Sequence, residues 1–334
     1  MVLYDNARVS MLTGIFKKNF FINSLLLLPF AAVMRLYSFV YPAKVMTVKE
    51  GDILYEGLLK IMPQSHLIHS IAALFLIFFE AVLINRLVIK NRFSREITLY
   101  AGMFYIILTS LVPPMLPLSP FMVGILFILL AFINLFKTYK KFRSERYLYN
   151  VGFFFGIAFL LHNAFIIAAI PLLLGFLSIR SFKLREFFQI LTGFVTILYF
   201  YAFWAYWTGN AFHFNWYKFY PVYEVLAFEL NRYIILVIYG FLFVYTVLTY
   251  RFFVMKKSIQ SQKKINIIFW LLLISFISLL FFEPRLFYSF SLLTAFPLSI
   301  FTSMIFMRIK NNLIAEVVSV VIVFAILIYH FQFY

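Results

Sequence analysis

The sequence predicts an all-α, polytopic transmembrane helical bundle, and three observations carry that prediction. Hydrophobic residues make up 64% of the 334 and charged residues only 12%, against about 25% charged in a soluble domain. A chain of this length cannot hide so much apolar surface in a water-soluble core, so lipid must be the solvent for most of it. The net charge of +17 is spread as cations that punctuate apolar runs, which is the pattern of the positive-inside rule. No basic patch is interleaved with a soluble binding module, so nucleic acid is not expected as a partner.

The elements follow in order, with spans placed where about 20 apolar residues run together. The first is expected over residues 20–41. Its lead-in (Lys17, Lys18) resembles a signal peptide but reads as the start of a retained span. An external loop with Glu50, Asp52, Glu56 and Lys60 follows. The second span runs from residue 66 to the basic stretch Lys90, Arg92 and Arg95. The third covers 97–111 and is stopped by Pro113, Pro114, Pro117 and Pro120, which cannot continue a helix. The fourth covers 121–136 and ends in Lys137, Lys140, Lys141, Arg143 and Arg146.

Residues 147–179 are too long for one comfortable span, and both flanks are basic: Arg146 on one side, Arg180, Lys183 and Arg185 on the other. A single crossing would put one cluster outside, so a hairpin of two short helices meeting at His162 and Asn163 is expected. The seventh span covers 187–207, and a second external loop, 209–231, holds His213, Lys218, Glu224 and Glu229. The eighth covers 233–250, before a basic loop with Lys256 and Lys257. The ninth covers 265–282 and turns at Glu283-Pro284-Arg285 into the tenth, 286–307. The last covers 313–329. Residues 1–334 thus form a single integral membrane domain of about 11 spans.

Segments assigned inside hold 22 of the 29 Lys and Arg and those assigned outside hold 6, Arg35 lying within the first span. That asymmetry predicts N-in and C-out.

Chemistry is expected at few places. Arg35, in the outer part of its helix, is within snorkelling reach of the interface. Glu50-Gly51-Asp52 follows in the loop. An acid pair beside a membrane-bound cation suits an anionic lipid headgroup and a proton acceptor; the alternative is a solvated loop turning at Gly51. Glu80 sits inside the second span, where an ionisable group is a functional candidate by default, with cross-helix pairing or protonation as the alternative. His162 and Asn163 either line a cavity or bond exposed helix ends. Arg285 belongs to a tight external turn and is the second candidate for phosphate contact. Glu316 reads as snorkelling from the last span. His66 and His69 share a helix face, yet a third metal ligand is missing. The chain has no Cys, which excludes thiolate chemistry and disulfides. Walker, dinucleotide, nucleophile-elbow and HExxH motifs are absent, so no metal or other cofactor is expected.

The order Arg35-Leu-Tyr, Glu50-Gly-Asp52 resembles the GT-C membrane glycosyltransferases, over about the first 60 residues and in the many-span layout. These enzymes carry an acidic motif in the first extracytoplasmic loop and usually take polyprenyl-phosphate-linked donors. The resemblance implies Asp52 or Glu50 as base toward the acceptor and Arg35 or Arg285 on phosphate. It implies a transferase of cell-envelope biogenesis with a polyprenyl-phosphate lipid as partner. The other class to be weighed is a non-catalytic membrane subunit or a transporter of an envelope component. Glu50-Gly-Asp-Ile-Leu-Tyr55, Glu80-Ala-Val-Leu-Ile-Asn-Arg86, the Pro-broken stretch 111–120 and the stretch 152–161 also resemble a Bacteroidota family of integral membrane proteins with no assigned activity.

Overall fold

The computed structural model describes residues 12–41, 54–55, 57, 59, 63, 65–94, 96–208, 230–255, 257–309 and 311–333. Every regular element among them is helical. Among the described residues, seven helices are long and apolar enough to cross a membrane: His66–Lys90 (α5), Pro120–Lys137 (α7), Leu184–Thr208 (α10), Leu230–Val254 (α11), Ile259–Phe281 (α12), Pro284–Phe306 and Asn312–Gln332. In the last two, α13 proper is Phe287–Phe306 and α14 is Asn312–Phe333. The chain is a helical membrane protein.

The first span departs from expectation. It is three short helices, Phe21–Leu25 (α2), Leu27–Met34 (α3) and Leu36–Val40 (α4), preceded by α1 (Leu12–Lys17). Pro29 cannot donate to the Leu25 carbonyl, and the helix breaks next to that position, at Leu26. The second break falls at Arg35, whose backbone leaves helical geometry at φ −113°, ψ 16°.

The third span is also shorter than expected. Helix α6 is Tyr100–Ser110, 11 residues that are all buried, and at 1.5 Å per residue it is only about 16 Å long. It is enclosed by protein. Asn85 Oδ1 on α5 takes the Gly102 N–H at 2.8 Å, which satisfies one donor of its first turn. Beside it runs α13, buried everywhere except Tyr288 and Ile305. Its hydroxyls, among them Ser291, Thr294, Ser299, Thr302 and Ser303, donate back to carbonyls three or four residues earlier. Polar groups sit inside the bundle this way without leaving a donor orphaned.

The expected hairpin is present. Helix α8 (Glu145–Leu161), a 3₁₀ turn (Asn163–Ala168) and α9 (Ala169–Ile179) are broken at His162. Arg180 Nη1 donates to Thr138 O at 2.9 Å and Lys141 O at 2.8 Å, so the chain returns to the face it left. At the far end the rings of Phe121 and Phe165 stack at 4.2 Å, and His162 meets Phe121 edge-on at 5.2 Å. Phe121 stands in the first turn of α7, so the His162 break lies level with the start of that helix.

Helices α8 and α10 touch backbone to backbone. A Cβ on Gly152 would lie 1.8 Å from Ile190 O, and one on Gly193 2.1 Å from Tyr149 O. Gly152 and Gly156 form a G-x-x-x-G stripe of the kind that lets membrane helices approach closely.

Candidate functional site

The Pro-rich stretch after α6 prepares the site. In a continuing helix the Leu116 carbonyl would accept from residue 120, but Pro120 has no N–H. The Leu118 carbonyl would accept from Met122, whose N–H goes instead to Ser119 Oγ at 3.1 Å. Two carbonyls are therefore left pointing into the protein. Arg35 Nη1 donates to Leu116 O at 2.5 Å, and Tyr55 Oη donates to Leu118 O at 2.7 Å.

Arg35 is 1% exposed, so it does not snorkel as expected. The break between α3 and α4 turns its side chain inward. Its Nε and Nη2 are buried and have no hydrogen-bond partner among the described residues. Glu80, from the middle of α5, is 0% exposed. Its Oε2 accepts from Tyr105 Oη on α6 at 2.7 Å, while Oε1 has no hydrogen-bond partner among the described residues. Arg35 and Glu80 act on each other electrostatically without a direct ion pair. The expected alternative for Glu80, pairing with another helix, is what the geometry offers, and the partner is a phenol.

Two more helices close the cluster. Tyr239 of α11 donates to Leu108 O at 2.9 Å. His330 of α14 is buried, with Nε2 2.7 Å from Ser110 O and its ring 6.0 Å from that of Tyr37. Arg35 also acts electrostatically on His330. His330 Nδ1 and Ser110 Oγ are left without a hydrogen-bond partner among the described residues.

The arrangement has chemical consequences. A guanidinium with two undirected N–H groups in a fixed plane matches two oxygens of a phosphate or carboxylate. A carboxyl held by one oxygen keeps the other available for a proton. Charges at this depth are costly, by about 2.5–3.5 kcal/mol each on insertion scales, and they mark functional interiors.

The other sequence candidates fall elsewhere. Glu50 and Asp52 lie outside the described residues, as do Glu56, Lys60, most of the second external loop and Lys256. Arg285 is 77% exposed and stands 3.8 Å from Glu283; it takes no part in the hydrogen bonding around Arg35. His162 Nδ1 accepts from Ala164 N at 3.2 Å, so it bonds the helix end, and Asn163 is buried beside it. Glu316 does not snorkel: it is buried and its Oε2 accepts from Thr13 N at 2.9 Å and Thr13 Oγ1 at 2.5 Å, tying α14 to α1. His69 is buried, with Nδ1 unpartnered among the described residues, and His66 is half-buried. Sequence reasoning missed Tyr105 and His330. His330 could have been found as an ionisable group in the last turn of a span; nothing in the sequence separates Tyr105 from the other tyrosines.

A family of unknown function, DUF6427, matches residues 52–334. The match includes Asp52, Glu80, Tyr105 and His330 and begins after Arg35. No curated protein and no solved structure matches the chain.

Proposed function

The chain belongs to the DUF6427 family, which hands down no assigned activity, and on its own geometry we propose a GT-C-like transferase of cell-envelope biogenesis. In this reading it sits in the bacterial inner membrane, N-in and C-out, with about 11 spans. Its donor is a sugar on a polyprenyl phosphate. What supports the reading above all is Arg35: a buried guanidinium anchored by one nitrogen to Leu116 O, with Nε and Nη2 unpartnered among the described residues. Those two groups suit two oxygens of the donor phosphate.

Asp52, or Glu50 beside it, takes the proton of the acceptor hydroxyl. The acceptor oxygen forms the new bond to the anomeric carbon as the bond from that carbon to the phosphate oxygen breaks. Polyprenyl phosphate leaves with the added negative charge, which Arg35 stabilises. Asp52 stands three residues before Tyr55, whose hydroxyl bonds Leu118 O beside the Arg35 anchor.

A second reading, a transporter of an envelope component, is favoured by Glu80, whose Oε1, without a hydrogen-bond partner among the described residues, suits coupled proton movement near Arg35. The test is complementation of a deletion strain. Under the transferase reading Asp52→Asn or Glu50→Gln abolishes function at unchanged expression. If both acid variants work and only Glu80→Gln fails, transport replaces transfer.

A further inference from the structure

On the basic face, at the opposite end of the bundle from Arg35, a cleft of about 590 Å³ opens between the ends of α5 and α7, the first turn of α8 and the start of α12. Five cations line it, Arg86, Lys90, Lys137, Lys141 and Lys264, and no acid does among the described residues. They are close enough to repel: Lys137 feels Lys90, Arg86 and Lys141, and Lys264 feels Lys90. Glu186 on this face is already held by Arg180 at 2.6 Å.

Lys264 is the informative member. It is 3% exposed. Its Nζ donates to the neutral Asn91 Oδ1 at 2.7 Å and lies 5.8 and 5.7 Å from the ring centres of Phe136 and Tyr139. The positive-inside rule accounts for lysines solvated in loops. It does not account for one sunk into the second turn of a membrane helix with only neutral partners among the described residues. Such a site is electrostatically incomplete, and an anion completes it. One wall of the cleft is apolar, formed by Leu83 and Leu87 of α5 and Leu130 and Ile133 of α7.

We propose that this cleft binds a lipid with an anionic phosphate head. The head lies among Lys137, Lys141 and Lys264, and an acyl or isoprenoid chain lies along Leu130 and Ile133, which are only half-buried. Free phosphate shares the head chemistry, but the apolar wall gives a tail something to bury. The site is independent of the one around Arg35, and its failure would leave that reading untouched.

The test uses delipidated full-length protein in detergent, probed with dioleoyl phosphatidic acid, dioleoyl phosphatidylcholine or inorganic phosphate. Phosphatidic acid is expected to be retained in native mass spectrometry and to raise the thermal midpoint. The other two probes are expected to do neither. Lys137→Gln/Lys141→Gln should weaken phosphatidic acid binding by about tenfold, as expected when two charge-assisted contacts are lost, with the lipid-free midpoint unchanged. Lys264→Gln should do the same, and Lys183→Gln, outside the cleft, should not. Should Lys264→Gln not fold, the double variant decides alone. Equal retention of phosphatidylcholine, or a double variant that binds phosphatidic acid as the wild type does, overturns the site. Stabilisation by inorganic phosphate equal to that by the lipid overturns its assignment to a lipid.

Discussion

Glu80 and Tyr105, from adjacent helices, are joined by a 2.7 Å hydrogen bond in a fully buried interior, and it is the one bond that holds the Glu80 carboxyl among the described residues. Tyr105→Phe removes it without changing the shape of the side chain. Leaving a buried polar group unsatisfied costs about 1–3 kcal/mol. The thermal midpoint in detergent should therefore fall, and should fall less in the double variant Tyr105→Phe/Glu80→Leu than two separate losses would give. An unchanged midpoint in Tyr105→Phe would mean that the bond holds nothing together.

Arg35→Lys keeps the charge but not the fork. A lysine that reaches Leu116 O cannot also present two N–H groups in one plane. We expect Arg35→Lys and Arg35→Gln both to lose retention of an anionic isoprenoid lipid in native mass spectrometry, with nearly wild-type thermal stability. Retention by the Lys variant would reduce the role of Arg35 to charge alone.

Gly152 and Gly193 test the contact of α8 with α10. A Cβ at either position meets a backbone carbonyl at 1.8 or 2.1 Å, and backbone cannot step aside as a side-chain tip can. Gly152→Leu should destabilise by about 1–3 kcal/mol or more, as overpacking does. Gly240→Leu serves as a control, because a Cβ there has its nearest neighbour at 3.9 Å.

Orientation is testable cleanly because the chain has no Cys. With N-in and C-out, a membrane-impermeant thiol reagent added outside should label Asp52→Cys and Arg285→Cys and spare Lys257→Cys. The reverse pattern would invert the topology and move the Arg35 cluster to the cytoplasmic half.

The class of the protein was legible in the sequence because it rests on local properties. Apolar runs as long as a bilayer is thick announce themselves one after another. Pro113 to Pro120 end a helix because proline has no N–H to give. Basic residues on both flanks of 147–179 foretold the hairpin, and Arg180 closes it by bonding Thr138 and Lys141. Pro29 could likewise have warned that the first span breaks.

The candidate site was only partly legible. Arg35 and Glu80 stood out as charges in apolar runs, but their relation did not. A helix facing lipid on one side and protein on the other is apolar all round, so its sequence does not say which side turns inward. Only packing decides that rotation. It turned Arg35 from the interface onto Leu116 O, brought Tyr105 to Glu80 from a helix with nothing to mark it, and drew Glu316 onto Thr13 instead of toward water. Sequence by itself determined that the chain lives in a membrane and where most of its helices run. Which charges meet was decided by tertiary structure, because that depends on how helices far apart in the chain are rotated against one another, and hydrophobicity does not encode that rotation.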